Sequence, residues 1–331
     1  MDGVILSGVG GYSTRAEFIV DAIQERILEL TIEDAGPPPT AQHGTPQDPG
    51  HPGVPASQQQ PSDTRKPATI EMTELAPPET GFSTPSEDDL CQPEGKALFG
   101  LHNRDYPALW ALSRLAEMAH EGPISVADYH KRVLLEAWDF SKCLIAIEKR
   151  SGTKCTALFP TNYDKRQSAE TRFLTFAIGT FRIGRNNAFI TSGPLFEWRT
   201  VGLSGSPDEP RISLTTAGWH LLAALRGLSV KEPHAQTYAT VFLTHLREHA
   251  PADHRGFTEI LRAIGSGGAT RQDVLDHAVT QWPEWNKNKV STNATGYIAR
   301  AREWGLVKPK QTNSQYHLTP FGIELLKGEK Q

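Results

Sequence analysis

The chain has little of what staples small proteins together. It contains 3 cysteines in 331 residues, Cys91, Cys143 and Cys155. They are too few and too scattered for a disulfide framework, and none forms a Cys-x-x-Cys metal clamp. Long apolar runs are also missing. The longest, such as residues 144–147 and 221–225, fall far short of the roughly 20 residues a membrane span needs. Met1-Asp2-Gly3 does not open a basic, apolar secretion signal. Hydrophobic residues make up 38% and charged residues 22%, both below ordinary globular usage. The shortfall points to a segment that does not fold. A soluble, cytoplasmic chain of about two domains is expected, at roughly 150 residues each.

What is abundant is proline, and it is concentrated. Residues 33–95 hold 13 of the 24 prolines, eleven Asp/Glu and two Arg/Lys, a net charge of −9. Their large apolar residues are only Val54, Ile70, Met72, Leu75, Phe82 and Leu90. So few cannot offset the ordering entropy of the segment, and a disordered acidic linker is expected. The overall charge of −4 therefore hides an asymmetry. Residues 1–32 carry −3 and residues 96–331 carry +8. A basic C-terminal region behind an acidic connector hints at a nucleic-acid partner.

Residues 96–331 read as mostly helical. Asp105 can cap a helix with Pro107 near its start and Gly122 past its end. A second helix follows Ser125 and runs to about Asp139, with Val126, Tyr129, Val133 and Ala137 inward. Residues 167–181 are apolar nearly all round, and their periodicity suits a buried helix or a strand. An internal echo organises the rest. Residues 211–222 (RISLTTAGWHLL) match residues 315–326 (QYHLTPFGIELL). Each follows a polar, turn-rich stretch and reads as a strand ending in Leu-Thr, then a helix through Gly-x-x-Leu-Leu. This pattern resembles the wing of a winged helix and the helix after it. The resemblance implies two winged-helix-like units, residues 96–228 and 229–331, in a mainly α fold with small β wings.

The second copy gives the clearer match. Phe257 to Ile264 would be its first helix, Thr270 to Gln281 its second, and about Val290 to Trp304 its third. A 100° wheel places Val290, Ala294, Tyr297, Ile298, Ala301 and Trp304 in one apolar sector. The opposite sector holds Thr292, Thr295, Gly296, Ala299, Arg302 and Glu303. Small residues there let a helix approach a groove, while hydroxyls and Arg302 supply donors. Lys287 and Lys289 precede the helix, and Lys308 and Lys310 mark the wing. Double-stranded DNA is the expected partner of this face.

Near the N-terminus stands Gly10-Gly11-Tyr12-Ser13-Thr14-Arg15-Ala16-Glu17-Phe18-Ile19. Thr14 with Glu17 has the form of a capping box. Phe18, Ile19, Ala22, Ile23, Ile27 and Leu30 form an apolar face that one helix cannot bury alone. The run resembles the turn and second helix of the ribbon-helix-helix DNA-binding family. That resemblance implies a homodimer packed through Phe18, Ile19, Ala22 and Ile23, with Ser13, Thr14 and Arg15 holding a DNA phosphate at the helix N-terminus. Only residues 1–7 precede the turn, so the family's base-reading strand has no counterpart. Either the true start lies upstream or the fragment (residues 1–32) is reduced to a dimerisation helix.

No motif argues for an enzyme. His245, His249 and His254 lack the carboxylate or thiol of a metal set. Gly8-Val9-Gly10-Gly11 and Gly265-Ser266-Gly267-Gly268 lack the Gly-Lys-Ser/Thr ending of a phosphate loop. Residues 202–206 miss the nucleophile-elbow pattern. No catalytic residue, cofactor or metal is expected. The reading is a dimeric, prokaryotic-type DNA-binding transcriptional regulator. A protein-interaction adaptor built on winged helices, or an antitoxin-like regulator, competes with it.

Overall fold

Why the Leu-Thr-x-x-Gly motif occurs twice becomes plain from its hydrogen bonds. In a computed structural model that describes residues 73–79, 102–185, 187–309 and 312–328, Thr215 Oγ donates to Arg199 O at 2.6 Å and accepts from Gly218 N–H at 3.0 Å. Thr319 repeats both bonds, to Gly305 O at 2.6 Å and from Gly322 N–H at 3.0 Å. One hydroxyl thus caps the following helix and ties it to the chain just after the preceding helix. The glycine lets the helix touch that backbone. A Cβ on Gly218 would lie 2.1 Å from Thr200 O, and one on Gly322 would lie 2.2 Å from Leu306 O.

Each half builds the same order around this joint. In the first, α1 (Tyr106–Met118) and β1 (Ile124–Ser125) lead into α2 (Val126–Ser151). Ser125 accepts from Asp128 N–H at the start of α2. That helix runs well past the expected end near Asp139 because Phe140 and Leu144 continue its buried stripe. Next come α3 (Arg166–Phe173) and a π turn (Leu174–Ile178), then strands β2 (Thr180–Ile183) and β3 (Phe189–Ser192). The segment 167–181, open between helix and strand in the sequence, contains both. A short α4 (Pro194–Glu197), strands β4 (Val201–Gly205) and β5 (Pro210–Leu214), and α5 (Thr216–Ala224) complete the half. Strand β5 pairs with both neighbours, Ile124 opposite Ile212 and Val201 opposite Leu214, giving the antiparallel order β1-β5-β4. Trp110, stacked on Phe140 at 5.2 Å and edge-on to Phe159 at 5.4 Å, centres the core.

The second half begins with α6 (Gln236–His249) and α7 (Pro251–Ile264). Then come β6 (Ala269–Thr270), α8 (Arg271–Gln281), α9 (Lys287–Glu303), β7 (Gln315–Tyr316) and α10 (Pro320–Gly328). Thr270 and Asp273 form a full capping box for α8, and Asn286 caps α9 by accepting from Lys289 N–H. Strand β6 pairs with β7, and a bridge joins Val307 to Leu318. The strand order, first-last-middle, repeats that of the first half.

The repeat reaches further upstream than Leu-Thr. Glu197-Trp198 and Glu303-Trp304 both end the helix before the last β segment, 106 residues apart, against 104 for Leu-Thr. The second segment is simply two residues shorter. These tryptophans join the halves reciprocally. Trp198 Nε1 donates to Asp253 Oδ2 at 3.0 Å, and Trp304 Nε1 donates to Asp105 Oδ2 at 2.6 Å. Phe242 lies between them, edge-on to Trp198 at 5.0 Å and stacked on Trp304 at 4.5 Å. The fully buried Arg300 spans both acids. Its Nε donates to Asp105 at 2.7 Å, and its two terminal nitrogens donate to Asp253 at 2.9 and 2.7 Å.

Asp105 therefore does not cap α1 with its side chain, contrary to the sequence expectation. Its carboxylate is taken by Arg300, Trp304 and His102. Burial is the largest influence and pushes this carboxyl up in pKa, but the Arg300 guanidinium, His102 and Trp304 together outweigh it and hold the carboxyl below the ordinary range. Glu303 serves α1 instead, accepting from the N–H groups of Asp105 and Tyr106.

A second departure concerns the expected linker, residues 33–95. Within it, Thr73–Glu79 is docked on the folded unit. Leu75 N–H donates to Leu228 O at 2.9 Å, Gly227 N–H donates to Leu75 O at 2.9 Å, and Val230 N–H donates to Thr73 O at 3.1 Å. Tyr106 and Arg226 bind the carbonyls of Thr73 and Pro77. Leu75 is 1% exposed. One apolar side chain in register with a free backbone edge overrides the polar composition around it.

Candidate nucleic-acid interface

Helix α9 is held by its apolar side, where Val290, Ala294, Tyr297, Ile298, Ala301 and Trp304 are all buried. Its other side is narrower than the wheel implies. Thr292, Thr295, Ala299 and Arg302 are half-exposed, but Gly296 and Glu303 are buried. Glu303 leaves the outer sector because it turns inward to the start of α1 and to His234. The stripe left outside consists of Asn288, Ser291, Thr292, Thr295, Ala299 and Arg302. Thr292 and Thr295 donate back to the carbonyls of Asn288 and Ser291 at 2.9 and 2.8 Å. Their hydroxyl oxygens can still accept.

The stripe is framed by cations from three elements. Arg302 places its guanidinium 5.2 Å over the Tyr316 ring of β7, which brings the helix end to the wing. Arg271, at the first position of α8, donates to Ser291 Oγ at 3.1 Å. Sequence reasoning missed Arg271, although its place directly after the capping Thr270 puts it at a helix start beside α9. Lys287 is exposed at the first turn of α9, and Lys289 lies 4.9 Å over Trp285, itself stacked on Trp282 at 4.7 Å. Lys308 is exposed beside the Val307–Leu318 bridge. Lys310 lies outside the described residues. So do Ser13, Thr14, Arg15, Phe18, Ile19, Ala22 and Ile23, and with them the dimerisation expectation.

The histidines resolve differently. His245 is buried and donates through Nε2 to Trp198 O at 2.9 Å. Burial pushes its pKa down to about 4. Among the described residues no group of three or more His, Cys, Asp or Glu side chains could hold a metal ion. Burial raises the Cys155 thiol to about 11. Among the described residues no helix is long and apolar enough to cross a membrane. The chain matches no known family model, no curated protein and no solved structure.

Proposed function

We propose that the protein is a double-stranded-DNA-binding transcriptional regulator whose C-terminal region carries two winged-helix units. The observation that supports this best is the doubled order of helix, strand, helix, helix and wing, with the same strand order in both halves. In the second half the third helix presents a stripe of small and hydroxyl side chains, framed by Arg271, Arg302, Lys287 and Lys308. Such a helix suits a major groove, and the cations suit the flanking phosphates. The +8 charge of residues 96–331 supports the same polarity. Dimerisation through a ribbon-helix-helix-like N-terminal helix completes the proposal and rests on the sequence pattern around Phe18.

Fluorescence anisotropy of the full chain on a random-sequence duplex, at 50 and 200 mM salt, tests it. Each phosphate contact contributes about 0.9 to the slope of log affinity against log salt. The double substitution Arg302→Ala with Lys308→Ala should lower that slope by up to about 1.8. A wild-type chain with no salt-sensitive affinity would overturn the reading and leave protein partners as the role of these surfaces.

A further inference from the structure

Among the differences between the halves, one is an insertion before the Glu-Trp step. In the second half a single helix, α9, runs unbroken into Glu303-Trp304. In the first half the corresponding path is α3, the π turn, and then a single turn of helix, α4, into Glu197-Trp198. Strands β2 and β3 are extruded between the π turn and α4. Gly179 and Gly193 close the base. They have φ of +129° and +112°, and a Cβ on Gly193 would lie 2.3 Å from Gly179 Cα. Only glycines let the two chain crossings approach so closely.

The hairpin is anchored on one face and bare on the other. Phe181, Ile183, Phe189 and Thr191 share the inward face, where Thr191 is buried and Phe181 meets Phe189 edge-on at 5.8 Å. The outward face carries Thr180, Arg182, Ile190 and Ser192, with Arg182 directly across from Ile190. Ile190 is 43% exposed, and Ile183 near the tip is 38% exposed. Residues 180–192 contain two arginines, Arg182 and Arg185, and no acid, and both arginines are exposed. The loop is closed by Gly184 N–H donating to Ala188 O at 2.8 Å. Four residues at about 3.3 Å each carry the tip roughly 13 Å from the base. B-DNA's major groove is about 8.5 Å deep and wide enough for a two-stranded ribbon.

We propose that the first half contacts double-stranded DNA through this β2–β3 ribbon, not through a helix. Arg182 and Arg185 meet phosphate or guanine edges, and Ile190 offers the apolar contact that thymine methyls accept. The proposal rests on the DNA-binding reading above and adds a second, chemically different contact to it. Exposed aliphatic side chains beside two exposed arginines, on a ribbon whose residues 180–192 include no acid, fit an anionic partner that also carries apolar groups.

The test uses the full chain, the same duplex and the same two salt concentrations. Arg182→Ala with Arg185→Ala is compared with Lys231→Ala and Arg247→Ala, which removes the same charge from two other exposed positions. The hairpin variant should lose up to about 1.8 of the salt slope, so its deficit at 50 mM shrinks about tenfold at 200 mM. The control pair should retain the wild-type slope. Equal losses in both variants, or none in the hairpin variant while Arg302→Ala with Lys308→Ala still weakens binding, would overturn the ribbon alone. Absence of salt-sensitive binding in the wild type would remove the DNA reading and the ribbon with it. Far-ultraviolet circular dichroism confirms that the variants are folded.

Discussion

Replacing Arg300 with methionine tests how the halves are joined. Arg300 makes three charged hydrogen bonds and is fully buried, as are Asp105 and, to within 1%, Asp253. Methionine fills much of the volume but leaves two carboxylates in a dry site with only neutral donors and His102. Removing one partner of a buried ion pair costs about 3–5 kcal/mol, because the remaining charge is uncompensated. At roughly 2–4 °C per kcal/mol for a unit of this size, the melting midpoint should fall by about 6–20 °C. The sign of the pH response gives a sharper check. In the wild type the Asp105 carboxyl lies below its ordinary pKa. Its contribution is therefore complete above about pH 4 and is lost only as pH falls through the lower, folded value. In Arg300→Met the guanidinium that opposes burial is gone and burial raises the Asp105 carboxyl, so the deficit should shrink as pH falls from neutral toward about 4. Adding Asp105→Asn and Asp253→Asn should recover part of the loss at neutral pH. Thermal melts of the full chain at several pH values supply the data. A deficit below about 1 kcal/mol, or one that does not depend on pH, would refute the reasoning.

Two further outcomes are expected. Leu75→Ala should destabilise the unit by about 2–5 kcal/mol in urea unfolding, the ordinary cost of emptying a buried leucine site; an unchanged midpoint would mean that the Thr73–Glu79 segment is not docked. His245, held at about 4 against an ordinary value near 6.5, is neutral in the folded chain. Its contribution to stability should therefore be complete above pH 6.5 and fall by about 3 kcal/mol as pH drops toward 4, in the same window as His130, which burial also holds at about 4. His245→Phe should flatten that part of the urea-midpoint profile relative to wild type.

The parts of the fold that depend on local pattern were legible. The stripe Val290 to Trp304 and the repeated Leu-Thr step into a helix through Gly-x-x-Leu-Leu are carried by residues close in sequence, and the structure places them as their spacing predicts. What could not be read came from distant partners. Nothing near Glu303 says that it leaves the outer sector to meet the N-terminus of α1, nearly 200 residues earlier. Nothing near Asp105 says that an arginine in the other half will claim its carboxylate. The hairpin was hidden for another reason: Gly179 and Gly193 look like ordinary turn glycines until the second copy shows a continuous helix at the same place. For the candidate interface, Thr292, Thr295 and Arg302 lie half-exposed on the outer side of α9, where the wheel put them, and Lys287 and Lys308 are exposed beside it. Arg271 was found only by its bond to Ser291.

The exchange of tryptophans and aspartates also bears on how such a chain could have arisen. Two identical halves paired head to head would each place an indole on the other's acid, as Trp198 and Trp304 do. They would also bring one arginine each. Here a single arginine serves both acids, and the residue at the corresponding position before Glu197-Trp198 is Pro194. One cation shared between two acids has no symmetric version. An ancestral two-subunit assembly, once fused, could lose one arginine because the covalent link guaranteed the other half's presence. After that loss the first half had no cation of its own at this position with which to rebuild the old pairing against a copy of itself. In such a chain the shared arginine holds the pairing only while both halves stay on one polypeptide.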